Sequence, residues 1–161
     1  MSINGKLAEE LGEILLRKKQ TVTTVESCTG GGIAYAITNV AGSSQWFRQA
    51  WVTYANEAKE TLVGVSKETL MEHGAVSAQT VVEMSYGGLR AADADYCIAV
   101  SGIAGPGGGT DAKPVGTVWF AIRHKDTCLT YHQVFTGDRA AIRQQAIHFA
   151  LKKLIQIAVV D

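Results

Sequence analysis

Cysteine, proline and net charge are all scarce in this chain, and each shortage removes a class of protein. Three cysteines, Cys28, Cys97 and Cys128, are an odd and widely spaced set, so no disulfide framework is expected. They form no CxxC pair, which argues against a structural zinc site. The 15 Lys and Arg balance the 15 Asp and Glu, which argues against a nucleic-acid-binding surface but leaves room for one local basic pocket. No apolar run approaches the length that spans a bilayer, so no membrane partner is expected. The opening stretch MSINGKLAEELGEILLRKKQ is amphipathic and lacks the apolar core of a signal peptide. A cytoplasmic protein is the expectation. Four scattered histidines (His73, His124, His132, His148) form no metal-binding pattern, so no metal and no cofactor are expected.

What is present fits one domain spanning residues 1–161, with 47% hydrophobic residues and enough chain for a real core. Leu7, Leu11, Ile14 and Leu15 repeat at helical spacing. Residues 21–26, rich in Thr and Val, read as a strand. A tight turn follows, and Ile33, Ala34, Ile37 and Val40 resume helical spacing. Residues 50–54 read as another strand, and Asn56, Ser66 and Ser77 are candidate helix caps. Residues 96–101 form an apolar strand, 115–124 and 127–135 a hairpin, and Asp138 starts a long final helix. The order is roughly α-β-α-β-α-α-β-β-β-α. Helices on both faces of a mixed, mostly parallel sheet is the natural packing, and the hairpin argues against a purely parallel one.

Four segments concentrate chemistry. In ESCTGGG, residues 26–32, a small nucleophile stands where a strand turns into a helix, and helix-start N–H groups suit an oxyanion or phosphate. On local pattern alone, Ser27 and Thr29 read equally well as helix caps. The segment has neither the Gly-Lys-Ser/Thr of a Walker loop nor a GxSxG elbow. Cys28 is the stronger nucleophile in principle but needs a partner to ionise it, so Ser27 ranks above it. The segment TYANEAK gathers Tyr54, Asn56 and Lys59, and a lysine can activate a serine if its pKa is depressed. The bland alternative for Lys59 is a solvated helix face. The loop at residues 101–116 holds both prolines and glycines 102, 105, 107, 108, 109 and 116, and follows a strand, where α/β proteins place ligands. Arg139 and Arg143 share one helix face and could grip a phosphate.

Taken together, TVTTVESCTGGGIA, AGSSQWFRQAWVTYANEAKETLVGV, HGAVSAQTVVEM, ADYCIAVSGIAGPGGG, KPVGTVWFAI and FTGDRAAIRQQA resemble the C-terminal domain family of the CinA competence/damage-inducible proteins. Within it, the likeness is to the stand-alone nicotinamide-nucleotide amidohydrolases. The resemblance implies a three-layer α/β/α sandwich, usually homo-oligomeric (dimer or higher). It implies metal-independent hydrolysis of nicotinamide mononucleotide to nicotinate mononucleotide and ammonia, within NAD recycling. It places the family's serine on Ser27 and its lysine on Lys59, with Tyr54 as a proton relay beside them. Substrate contacts fall on Thr29, Gly30, Gly31, Asn56, Ser101, Gly102, Gly105, Arg139 and Arg143, with backbone N–H groups near Thr29, Gly30 and Gly31 holding the oxyanion. Gly107 and Thr110 depart from the family's loop. Two other readings compete: a non-catalytic nucleotide-binding or regulatory module, and a pyrophosphatase acting on ADP-ribose, which would need a divalent metal and clustered carboxylates.

Overall fold

The computed structural model describes residues 2–161. Five strands form one sheet: β1 (Val22–Glu26), β2 (Trp51–Val52), β3 (Tyr96–Gly102), β4 (Thr117–His124) and β5 (Thr127–Val134), in spatial order β2-β1-β3-β4-β5. β1 pairs parallel with β2 and β3, whereas β3–β4 and β4–β5 are antiparallel. The sheet is mixed as expected. Four strands run one way and only β4 opposes them.

Six α-helices accompany the sheet among the described residues: α1 (Ile3–Lys18), α2 (Gly32–Thr38), α3 (Asn56–Val63), α4 (Lys67–His73), α5 (Ala78–Ala92) and α6 (Arg139–Val160). One more helix than the sequence order allowed lies between β2 and β3, because Ser66 does cap a helix of its own, accepting from Thr69 N–H. Ser77 and Asp138 cap α5 and α6 in the same way. Asn56 does not cap α3. The cap position is Ala55, which makes no side-chain bond, and Asn56 is the first helical residue with its amide exposed.

The sheet separates two cores. On one face Leu11, Leu15, Ile33, Ile37, Ile142 and Leu154 of α1, α2 and α6 pack against Ile98, Val100 and Phe120. On the other, Val63, Val81 and Met84 of α3 and α5 cover Val25, Cys97 and Ala99. This is the three-layer α/β/α sandwich. Each fully buried Leu or Ile contributes about 1.5–3 kcal/mol of apolar transfer energy. Every residue of β1 is buried, as a central parallel strand requires, while β5 is a largely exposed edge.

One close approach and one short strand position the site. Gly87 lets α5 meet the end of α3, since a Cβ there would lie 1.8 Å from the Val63 carbonyl oxygen. The strand expected over residues 50–54 is paired only at Trp51 and Val52. Beyond them the chain turns, and residues 53–55 lead directly into α3.

Candidate active site

The carboxyl ends of β1, β2 and β3 lie along one edge of the sheet, where open α/β sheets hold their ligands. Ser27 is the first residue past β1. Its N–H donates to the Val100 carbonyl at 3.0 Å, so the Ser27 position is an extension of the β1–β3 ladder. On the other side, Thr53 N–H donates to the Glu26 carbonyl at 2.8 Å and extends the β1–β2 pairing. Lys59 projects from the first turns of α3 into the gap between these extensions.

Lys59 is 1% exposed and Ser27 7%. The Lys59 ammonium donates to Ser27 Oγ at 3.1 Å, to the Thr53 carbonyl at 2.9 Å and to the Tyr54 carbonyl at 3.2 Å. Burial lowers its pKa below the ordinary lysine range, with a smaller opposing pull from the Cys28 thiol. The partner set has a direct consequence for the neutral form. A neutral amine has two hydrogens and one lone pair. Carbonyls only accept, so Thr53 and Tyr54 take the two hydrogens. The lone pair is left facing the one partner that can donate, the Ser27 hydroxyl.

The pair opens on a cleft of 270 Å³ whose lining includes Tyr54, Asn56, Ser101, Gly102, Gly105 and Arg139. The structure therefore brings together eight of the twelve residues singled out in the sequence. Arg139 donates to the Gly105 carbonyl at 2.7 Å and to the Tyr54 phenol oxygen at 3.0 Å, tying the glycine-rich loop to the strand end. The Tyr54 phenol is 60% exposed and sits on Arg139. Contact between Tyr54 and Lys59 runs through the main-chain carbonyl.

The other four residues lie behind the Ser27–Gly31 turn. Thr29, Gly30, Gly31 and Arg143 line a separate hollow of 520 Å³ together with Tyr35, Asn39 and Gln144. Thr29 is fully buried and its hydroxyl donates to Glu26 Oε1 at 2.7 Å. The Gly30 N–H is occupied by the Ser27 carbonyl at 2.9 Å, so it is not free to hold an oxyanion. Gly30 and Gly31 have φ of +57° and +94°, which explains the glycines as turn formers. Arg143 donates to the Cys28 and Thr29 carbonyls at 3.0 and 3.2 Å, bracing the turn from α6 instead of facing the Ser27 cleft. Helix spacing put both arginines on one face; it did not reveal that Arg143 would take the carbonyls of the turn while Arg139 reached the glycine-rich loop and Tyr54.

Sequence reasoning missed Ala75 and Val76, which wall the cleft as small or apolar side chains with no chemical signature, while Ile103 and Ala104 line it from the loop expected to face the ligand. It also missed the Thr53 carbonyl, since a backbone acceptor carries no residue-type signal. Cys28 is buried, and desolvation pushes its thiol up to about 12. Its thiol is thus inert at neutral pH. Cys28→Ala is expected to keep turnover within about threefold of wild type, the size of a packing change and not of a lost nucleophile. Steady-state rates before and after iodoacetamide at pH 8 check this; a thiol essential to catalysis would lose activity in both tests.

Known proteins share both fold and segments. The family model described as the CinA C-terminal domain matches residues 4–158. The nicotinamide-nucleotide amidohydrolase PncC of Escherichia coli (strain K12) is 53% identical over 152 residues, covering 94% of this chain and 92% of that protein. PncC of Pseudomonas putida is 48% identical over 151 residues, covering 94% of both chains. A crystal structure of a CinA superfamily protein from Klebsiella pneumoniae superposes with a TM-score of 0.96 at 39% identity, covering 99% of this chain and 100% of that one.

Proposed function

This chain belongs to the CinA C-terminal domain family, and from that premise we propose that residues 1–161 form one catalytic domain, a nicotinamide-nucleotide amidase. It hydrolyses nicotinamide mononucleotide to nicotinate mononucleotide and ammonia. The names of the relatives support the reaction; the observation that supports its chemistry is the buried Lys59 amine, 3.1 Å from Ser27 Oγ with two carbonyls on its remaining positions.

Neutral Lys59 takes the Ser27 proton as Oγ attacks the carboxamide carbon. The tetrahedral oxyanion meets the Cys28 N–H, which follows the nucleophile and has no backbone acceptor among the described residues. The C–N bond breaks as Lys59 returns the proton to the leaving nitrogen, and ammonia departs. The Tyr54 phenol accepts from Arg139, which leaves its own O–H free to donate a hydrogen bond to the bound substrate, with no net proton transfer through it. Water then attacks the nicotinoyl ester with Lys59 again as base, releasing the acid and restoring Ser27. Ser101, Gly102 and Asn56 face the pyridine carboxamide from the cleft walls.

Arg139 and the loop at Gly105 receive the nucleotide phosphate. Arg139→Ala is expected to raise KM for nicotinamide mononucleotide about 10–100-fold, the worth of a charge-assisted bond. Its smaller effect on kcat, and equal rates of wild type and variant on nicotinamide riboside, would place the loss on the phosphate. A comparable loss on the riboside would remove that assignment.

The reading extends to a cytoplasmic enzyme acting as a homo-oligomer (dimer or higher), without nucleic-acid or membrane partners. Balanced charge and exposed apolar side chains such as Tyr35 and Val52 support it. No described helix is long and apolar enough to cross a membrane. The test of function is ammonia release from nicotinamide mononucleotide in EDTA. Steady release supports the reading, and its absence in folded protein refutes it.

A further inference from the structure

Glu26 ends β1 immediately before the nucleophile and is 1% exposed. A buried carboxylate is costly unless its oxygens are satisfied. Here they are, and every donor belongs to the chain around Ser27. Oε1 accepts from the Thr29 hydroxyl at 2.7 Å and the Ile33 N–H at 2.9 Å. Oε2 accepts from the Ala34 N–H at 2.9 Å and the Thr24 hydroxyl at 3.2 Å. The partners lie before the turn, inside it and in the first turn of α2 just beyond it.

Helix capping alone does not require this arrangement. Ser2, Ser66, Ser77 and Asp138 cap their helices locally, each from the N-cap position. At α2 the N-cap is Gly31, which has no side chain, and Glu26 supplies the acceptors from the strand five residues earlier. Its carboxylate therefore spans the Ser27–Gly31 turn and fixes both of its ends.

The backbone of the same residue fixes the other half of the pair. Its carbonyl accepts from the Thr53 N–H at 2.8 Å and from the Thr53 hydroxyl at 3.5 Å. That contact places residues 53 and 54, whose carbonyls hold the Lys59 amine. The Lys59 amine donates to Ser27, Thr53 and Tyr54 and not to Glu26. The Glu26 carboxylate is thus committed to the turn and makes no hydrogen bond to the amine.

We infer that Glu26 is the positioning residue of this site: its side chain holds the Ser27 turn and its carbonyl the Lys59 acceptors, so one residue sets the geometry between nucleophile and base. This rests on the Ser27–Lys59 reading above and acts through those residues, with no contact to substrate.

The substitution Glu26→Gln keeps size and hydrogen-bonding atoms but puts an NH2 group against donors. It is expected to lower kcat for nicotinamide mononucleotide about 10²-fold, the effect of a misplaced reacting group, with KM within about threefold. Rates are expressed per Ser27 that a fluorophosphonate can titrate to completion, which removes any misfolded fraction. The rate of that labelling falls in parallel with kcat. Thr29→Val, which deletes one of the four donors without changing shape, loses about tenfold in kcat, and Thr29→Ser loses less than Thr29→Val. Unchanged kcat and labelling rate in Glu26→Gln would overturn the inference. So would a loss seen only as fewer titratable sites, or only in KM. If wild type released no ammonia at all, the proposed substrate would fail, while the labelling rates would still judge Glu26.

Discussion

Ser27→Ala is expected to leave a folded protein that releases ammonia from nicotinamide mononucleotide at least about 10⁴-fold more slowly than wild type. Folding should survive because the hydroxyl serves the core little. Its hydrogen-bond partners are Lys59 at 3.1 Å and the Tyr54 carbonyl at 3.5 Å. Catalysis should not survive because nothing nearby can replace it. Cys28 is adjacent in sequence, yet burial pushes its thiol up to about 12 and so keeps it protonated. Binding should persist, since the phosphate contacts assigned to Arg139 and the loop at Gly105 are untouched. Ligand titration with unchanged affinity, beside a lost turnover, is the expected combination. A variant that still turns over at about a tenth of the normal rate would require another nucleophile.

The second large effect is at Lys59. Lys59→Met fills similar space without an amine, and Lys59→Arg keeps a cation that does not deprotonate. Both are expected to lose about 10³–10⁴-fold in kcat, because the role requires a group that is first neutral and then charged. If Lys59 acted only as a fixed positive charge, Lys59→Arg would retain much of the rate. Members of one catalytic unit are strongly non-additive, so the double variant Ser27→Ala with Lys59→Met should be hardly slower than either single variant. The Lys59→Met substitution leaves the Thr53 carbonyl without its side-chain donor, a cost of about 1–3 kcal/mol, while the Tyr54 carbonyl keeps the Ser27 hydroxyl. It also removes the desolvation cost of a buried amine. The melting temperature of Lys59→Met is therefore expected to move far less than its rate.

Much of this was legible in the sequence because periodicity and turn chemistry agree with burial. The Val-Thr run before Ser27 became a fully buried strand, Ser66, Ser77 and Asp138 became caps, and Lys125 and Asp126 became the β4–β5 turn. The place of Ser27 at a strand-to-helix turn followed from the same signals. What the sequence could not show was which side of that turn each residue faces. Thr29, Gly30, Gly31 and Arg143 lie on the far side because Glu26 pulls Thr29 inward while Arg143 takes the turn's carbonyls. Asn56 was misread as a cap because capping depends on one residue of register, which Ala55 occupies here. The carbonyls that orient Lys59 belong to Thr53 and Tyr54 only because β2 stops after Val52. Strand length at an edge is set by tertiary pairing, not by local propensity.

The central claim is a serine activated by a lysine whose proton burial makes easier to lose. It is tested most directly by the rate at which a fluorophosphonate labels Ser27, followed from pH 5 to 10 in wild type and Lys59→Met. Burial lowers the Lys59 pKa. Wild type is therefore expected to give one adduct, mapped to Ser27 by mass spectrometry, at a rate that is low in acid. The rate should rise as the amine loses its proton, with a midpoint below the ordinary lysine range. Lys59→Met should label slowly and without that rise. Equal rates and equal pH profiles in the two proteins, or an adduct on a residue other than Ser27, would contradict it.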